Sequence, residues 1–241
     1  MSGIRNAFEW PGFLNARDLG GHPTLGGSTT RFGAVVWSDT LTPMGDAARS
    51  TMVEHRVRAV VDLRLPEQVA RNPSPFAASV DSSVLYHSLP PIDSSLPGFG
   101  SLERQYRDMV RAFSGVAPAV MAAIGDCDGT AWIHCEYGKD RTGLVSALLL
   151  DLAGVSRELV AEDYAMTAVC LRPIWEDFLA SDQGTRAERE ADLARFMPRR
   201  EVILDTMDLI DREYGDVKGY LQAAGISTVM LTRVRDRLVG G

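Results

Sequence analysis

Cysteine is scarce in this chain. Its 241 residues hold three, Cys127, Cys135 and Cys170, too few and too scattered for a disulfide scaffold. The four histidines, His22, His55, His87 and His134, fall at no spacing that suggests a metal site, so neither a metal nor a cofactor is expected. There is no long basic run, and the net charge is −7, which argues against nucleic acid or an anionic membrane as a main partner. The longest mostly apolar run, residues 144–150, is far short of the ~20 residues a membrane span needs, so no stable membrane insertion is expected. Residues 1–6 lack the apolar centre of a signal peptide. These absences point to a reducing cytoplasm, with export independent of a signal peptide left open.

What is present is an ordinary globular composition, long enough to be read as one domain over residues 1–241 with an ample core. Residues 34–37, 59–63, 84–87 and 131–135 are short apolar strand candidates. Helical patterns lie between and after them. Residues 46–55 form one. Leu102, Tyr106, Met109, Val110 and Phe113 repeat at helical spacing before Ser114-Gly115, and Pro118 suits the first turn of another helix. Residues 143–153 and 157–166 follow, then an apolar face of Val202, Ile203, Met207, Ile210 and Tyr214, and finally residues 220–221 and 229–238. Strands alternating with helices predict an α/β fold with a mostly parallel central sheet flanked by helices.

One segment carries chemistry: His134-Cys135-Glu136-Tyr137-Gly138-Lys139-Asp140-Arg141-Thr142-Gly143. Apolar residues lead in and an apolar helical stretch leads out, so it reads as strand, tight loop, helix. Such a loop turns backbone N–H groups inward, and the following helix adds about half a unit of positive charge at its N-terminus. Phosphate would be cradled by Cys135, Glu136, Tyr137, Gly138, Lys139, Asp140 and Arg141. Cys135 sits at the base as nucleophile, its thiolate favoured by the helix N-terminus and nearby cations. The planar fork of Arg141 suits two phosphate oxygens. Gly138 permits the turn, Thr142 is placed to hydrogen-bond the sulfur, and His134 fixes the loop through its ring nitrogens. The residues thus describe a phosphatase site working through a phosphocysteine, with inorganic phosphate as product.

The segment resembles the P-loop of cysteine-dependent phosphatases, and is most similar to a bacterial tyrosine-phosphatase-like family whose loop reads HCxxGKDRTG. Asn15-Ala16-Arg17-Asp18-Leu19-Gly20-Gly21 resembles that family's NFRDLGG opening. Ser38-Asp39-Thr40-Leu41 resembles its RSxxL segment, with Trp37 where arginine is usual. Asp62-Leu63-Arg64 with Glu67, then Gly154-Val155-Ser156 and Glu162-Asp163-Tyr164, are similar to its later motifs. The resemblance implies a protein-tyrosine-phosphatase-like fold and a protein-tyrosine phosphatase, with dual or broader specificity as an extension. A phosphoinositide phosphatase and a catalytically silent phosphate-binding module are the alternatives.

Two aspartates compete as general acid. Asp140 matches the family motif by type. Asp93 follows a proline-rich stretch in the loop where related enzymes carry an acid. Asp62 and Arg64 read as an ion pair beside the cleft, as do Arg17 and Asp18. Glu136, if it points into the cleft, disfavours multiply phosphorylated substrates, so the expected partner is a phosphorylated protein or a small phosphomonoester, phosphotyrosine first. Residues 171–200 mix aromatic and charged residues and are a candidate helical lid insertion. A thiolate at Cys135 would also be oxidisable, with Cys127 or Cys170 as candidate partners.

Overall fold

A computed structural model describes residues 10, 12–41, 45–77, 83–91 and 102–240. Its elements in chain order are β1 (Arg17–Asp18), β2 (Val35–Ser38), α1 (Asp46–Glu54), β3 (Val57–Asp62), α2 (Pro66–Arg71), β4 (Leu85–Ser88), α3 (Leu102–Phe113), α4 (Ala117–Gly125), β5 (Thr130–His134), α5 (Asp140–Leu152), α6 (Arg157–Cys170), α7 (Arg172–Ala180), α8 (Arg186–Phe196), α9 (Arg200–Tyr214), α10 (Val217–Ala223) and α11 (Thr228–Val239). Five strands form one sheet in the order β1-β2-β5-β3-β4. β5 runs parallel to β2 and β3, β3 runs parallel to β4, and among the described residues only β1 is antiparallel.

The centre of the sheet explains its composition. Every residue of β5 is buried, as a central parallel strand covered on both faces requires. Alternation along the strands then divides two cores. Val35, Trp37, Ala59, Val61, Ala131 and Ile133 face the large core that includes α3–α6 and α9–α11. Val36, Val60 and Trp132 face a smaller one closed by Trp10, Phe13, Met52 of α1 and Phe76. Trp132 meets Trp10 edge to face at 4.8 Å, and its indole N–H donates to Ser38 Oγ at 2.8 Å.

α5 is apolar nearly all round and buried from Thr142 to Leu150, which places it inside the protein rather than on its surface. The apolar stripe of α3 packs on α9. α7 and α8 have no buried residue and pack against each other. Thr185 opens α8 by accepting from the Glu188 N–H, while Glu188 accepts from the Thr185 N–H.

The structure departs from the sequence expectation in four elements. α6 continues past Met166 to Cys170 because no breaker intervenes, and α7 then starts where Pro173 can occupy a first turn but not a helix interior. α2 is short and without a buried residue, so it leaves no apolar period to read. β1 has two charged residues and no apolar signature. Among the described residues no helix is long and apolar enough to cross a membrane.

Ile133 is fully buried while Leu85 on β4 is 61% exposed. Ile133→Ala should lower unfolding free energy by about 2–5 kcal/mol, and Leu85→Ala by no more than about 0.5 kcal/mol. Equal losses in urea titrations would contradict this arrangement of the sheet.

Candidate active site

The loop from Cys135 to Lys139 joins the end of β5 to the start of α5. A peptide unit that turns its N–H inward must turn its carbonyl outward, and buried carbonyls need donors. Four successive carbonyls find one. The His134 ring nitrogen Nδ1 lies 3.3 Å from the Cys135 carbonyl. The Thr40 N–H donates to that of Glu136 at 3.0 Å. The Asn15 side-chain amide donates to those of Tyr137 and Gly138 at 3.0 and 3.1 Å. Gly138 has φ +62°, and a Cβ there would fall 2.6 Å from the Ser38 carbonyl oxygen, so both conformation and space demand glycine. Cys135 lies at the base of the loop, 2% exposed.

Asn15 is itself fixed. Its Oδ1 accepts from Arg17 Nη1 at 2.6 Å. Arg17 is fully buried, donates to the Asp163 carbonyl and Thr167 Oγ1, pairs with Asp163 at 3.3 Å, and lies 3.9 Å over the Trp37 ring. Trp37 thus gives Arg17 an aromatic face where an arginine would set like charges together.

Beneath the loop lies a second polar group. Arg64 donates to Asp62 through Nε and Nη2, the closest contact being 2.7 Å, and Tyr86 O–H donates to Asp62 Oδ2 at 2.8 Å. His134 Nε2 lies 3.5 Å from Asp62 Oδ2. Burial pushes the Asp62 carboxyl up, but the bonds from Arg64 and the neighbouring His134 outweigh it and hold it below the ordinary range. Burial moves the Tyr86 phenol up to about 12, helped by the Asp62 charge. Burial also lowers His134 to about 4, with Asp62 opposing and Arg64 assisting.

The remaining loop side chains reach outward from this floor. Arg141 Nη1 donates to the Leu63 carbonyl and to Gln68 Oε1, both at 2.8 Å. Lys139 Nζ donates to the Phe196 carbonyl at 2.9 Å, lies 3.5 Å from Asp140 Oδ2, and stands 5.9 Å from the centre of the Trp175 ring. The Tyr106 hydroxyl donates to Asp140 Oδ1 at 3.3 Å and shares a 2.7 Å hydrogen bond with the Tyr164 hydroxyl. Burial, with the adjoining Tyr164 and Asp140, raises the Tyr106 phenol well above its ordinary value, so it stays a donor. The Thr142 hydroxyl, expected to bond the sulfur, is buried with no hydrogen-bond partner among the described residues. Glu136 is half-buried, its Oε2 has no hydrogen bond among the described residues, and its charge bears on Arg64. Tyr137 is half exposed. All three cysteines are free thiols.

The sequence profile described as "Tyrosine phosphatase family" matches residues 8–240. The chain belongs to this family. As a tyrosine phosphatase it is a phosphoric monoester hydrolase. It is similar to the "Triple specificity protein phosphatase PtpB" of Mycobacterium tuberculosis, 25% identical over 276 residues that cover 96% of this chain and 99% of that protein. It is also similar to a "Tyrosine-protein phosphatase" of Nostoc commune, 27% identical over 85% of this chain and 74% of that protein.

In this phosphatase every site residue expected from the sequence lies in or beside the loop except Asp93, which falls outside the described residues. Asn15, Thr40, Gln68 and Tyr106 are site neighbours that sequence reasoning did not assign. Asn15 opens a recognised motif, but its contacts lie 122 and 123 positions away. Tyr106 reads as one more residue of the α3 stripe. Among the described residues no group of histidine, cysteine and carboxylate side chains could hold a metal ion.

His134 makes acid stability testable. Held at about 4 when folded against its ordinary 6.5, the buried ring takes up no proton where the unfolded chain does. Its contribution is complete above pH 6.5, falls as pH drops from 6.5 to 4, and levels below that. Across that window His134→Asn should flatten the decline in unfolding free energy by on the order of 3 kcal/mol. The buried His22, also lowered by desolvation, contributes the same sign in both proteins. Identical slopes in denaturant titrations would show that His134 is not held neutral.

Proposed function

We propose that the chain hydrolyses phosphomonoesters, phosphotyrosine first, through a phosphocysteine on Cys135. The observation that carries this reading is the set of outward-held carbonyls from Cys135 to Gly138. Such an arrangement frees the opposite faces of those peptide units for an anion resting over the sulfur at the N-terminus of α5. The Cys135 thiolate attacks phosphorus, and the ester P–O bond breaks as the S–P bond forms. Arg141 grips two equatorial oxygens more strongly as they spread in the transition state. The leaving oxygen takes a proton from Asp140, which Tyr106 orients. Asp140, now a carboxylate, takes a proton from the water that attacks the phosphocysteine, the S–P bond breaks, and inorganic phosphate leaves as the thiolate returns. The Thr142 hydroxyl, buried and without a partner among the described residues, is suited to stabilise the departing sulfur.

A nucleophile only 2% exposed favours a phosphate on a long, flat aryl arm over one on a short serine side chain. Half-exposed Tyr137 offers that ring a neighbour at the rim. The Glu136 carboxylate, next to the nucleophile in the chain, adds negative charge that disfavours a further phosphate. The triple specificity named for the mycobacterial relative makes a range broader than phosphotyrosine the second reading, and the added positive charge of Lys139 keeps phosphoinositides within it.

Wild type should turn over p-nitrophenyl phosphate with vanadate inhibition, and Cys135→Ser should lose that turnover by about 10³-fold or more. Asp140→Asn should flatten the basic limb of the pH–rate profile and spare substrates with good leaving groups. If Asp93→Asn does this instead, the acid is Asp93. A folded wild type that binds phosphate without turnover would leave only the binding-module reading.

Residues 171–200 are proposed to act as a lid. α7 and α8 have no buried residue of their own, yet their Phe196 carbonyl and Trp175 ring both approach Lys139 in the loop. Trp175→Ala should raise kcat/KM for a phosphotyrosine peptide severalfold relative to p-nitrophenyl phosphate. An unchanged ratio would end the lid reading.

A further inference from the structure

Gln68 lies in the first turn of α2, a helix too short and exposed to show in the sequence pattern. Its Oε1 accepts two hydrogen bonds, one from the Leu65 N–H at 3.0 Å and one from Arg141 Nη1 at 2.8 Å. The same Arg141 nitrogen donates to the Leu63 carbonyl at 2.8 Å. One corner of the guanidinium is therefore tied twice to the segment that leaves β3, and both acceptors are uncharged. A planar group held at Nη1 keeps a defined orientation, and the edge bearing Nε and Nη2 is the one whose geometry matches two oxygens of a phosphate.

The charge of the acceptor matters as much as its position. The nearby carboxylate Asp62 is already paired with Arg64 at 2.7 Å. A second carboxylate at position 68 would pair with Arg141 and offset the charge that the phosphoryl group needs. An amide orients the arginine without neutralising it.

We propose that Gln68 is a positioning residue for Arg141, and that its amide, rather than a carboxylate, leaves the full guanidinium charge to the phosphoryl dianion. This assignment rests on the phosphocysteine reading of the site. The rival role is structural, because the bond from the Leu65 N–H makes Gln68 a cap of α2 as well.

Two variants separate these roles. Gln68→Leu removes both acceptor bonds. Gln68→Glu keeps the cap and the bond to Arg141 but adds a negative charge. Steady-state kinetics on p-nitrophenyl phosphate, inhibition by orthovanadate and by inorganic phosphate, and thermal melting are measured for both. Gln68→Leu should lower kcat by about tenfold to a hundredfold with little change in KM, and weaken vanadate by a similar factor. Gln68→Glu should melt with or above wild type yet bind phosphate and vanadate about tenfold more weakly near neutral pH, recovering as the introduced carboxyl protonates. Wild-type kcat and vanadate inhibition in both variants, alongside an active wild type, would overturn the Gln68 assignment alone. Loss in the leucine variant with none in the glutamate variant would overturn the charge argument. A wild type without turnover would overturn both this assignment and the reading beneath it.

Discussion

A peptide unit cannot offer its N–H to an anion without sending its carbonyl the opposite way, and the architecture around residues 135–139 meets that constraint. The carbonyls of Cys135, Glu136, Tyr137 and Gly138 take their donors from His134, Thr40 and Asn15. Those donors come from the β5 end, the segment after β2, and the approach to β1. The sheet order places all three beside the loop. Asn15 must be held still to serve, which is why Arg17 is buried against Trp37, Asp163 and Thr167 although burying a guanidinium is costly without partners. The N-terminal motif, α6 and the loop are thereby one mechanical unit.

A related division of labour governs charge. Two acidic groups near the loop are met by donors: Asp62 by Arg64 and Tyr86, and Asp140 by Tyr106 and Lys139. Arg141 is held by neutral groups, one carbonyl and one amide, while Lys139 is shared between a carbonyl and the Asp140 carboxylate. Hydrogen bonds to neutral acceptors orient Arg141 without offsetting its field, in a chain whose net charge is −7.

The strand at 130–134 and the buried helix at 140–152 were legible because their composition reports burial directly: β5 is buried throughout and α5 is apolar nearly all round. The nucleophile and its arginine were legible because their spacing is local to one loop. Arg17, Asp18, Asp62 and Arg64 were read as ion-pair residues. Asp62 and Arg64 pair with each other, but Arg17 pairs with Asp163. Asp18 instead accepts from the Gly20 and Gly33 N–H groups, because the turn after β1 brings those donors to it. Asn15 and Gln68 were not assigned, since what each does depends on an atom far along the chain.

By itself, then, the sequence determined the strand–loop–helix that carries Cys135 and Arg141, and the family to which that loop belongs, because residues within one turn of each other interact whatever surrounds them. Only the tertiary structure decided which donors hold the loop open, which acceptors orient Arg141, and that α8 reaches back to Lys139. Those contacts join residues tens of positions apart, and no local propensity or periodicity encodes a distance that only the closed sheet and its packed helices create.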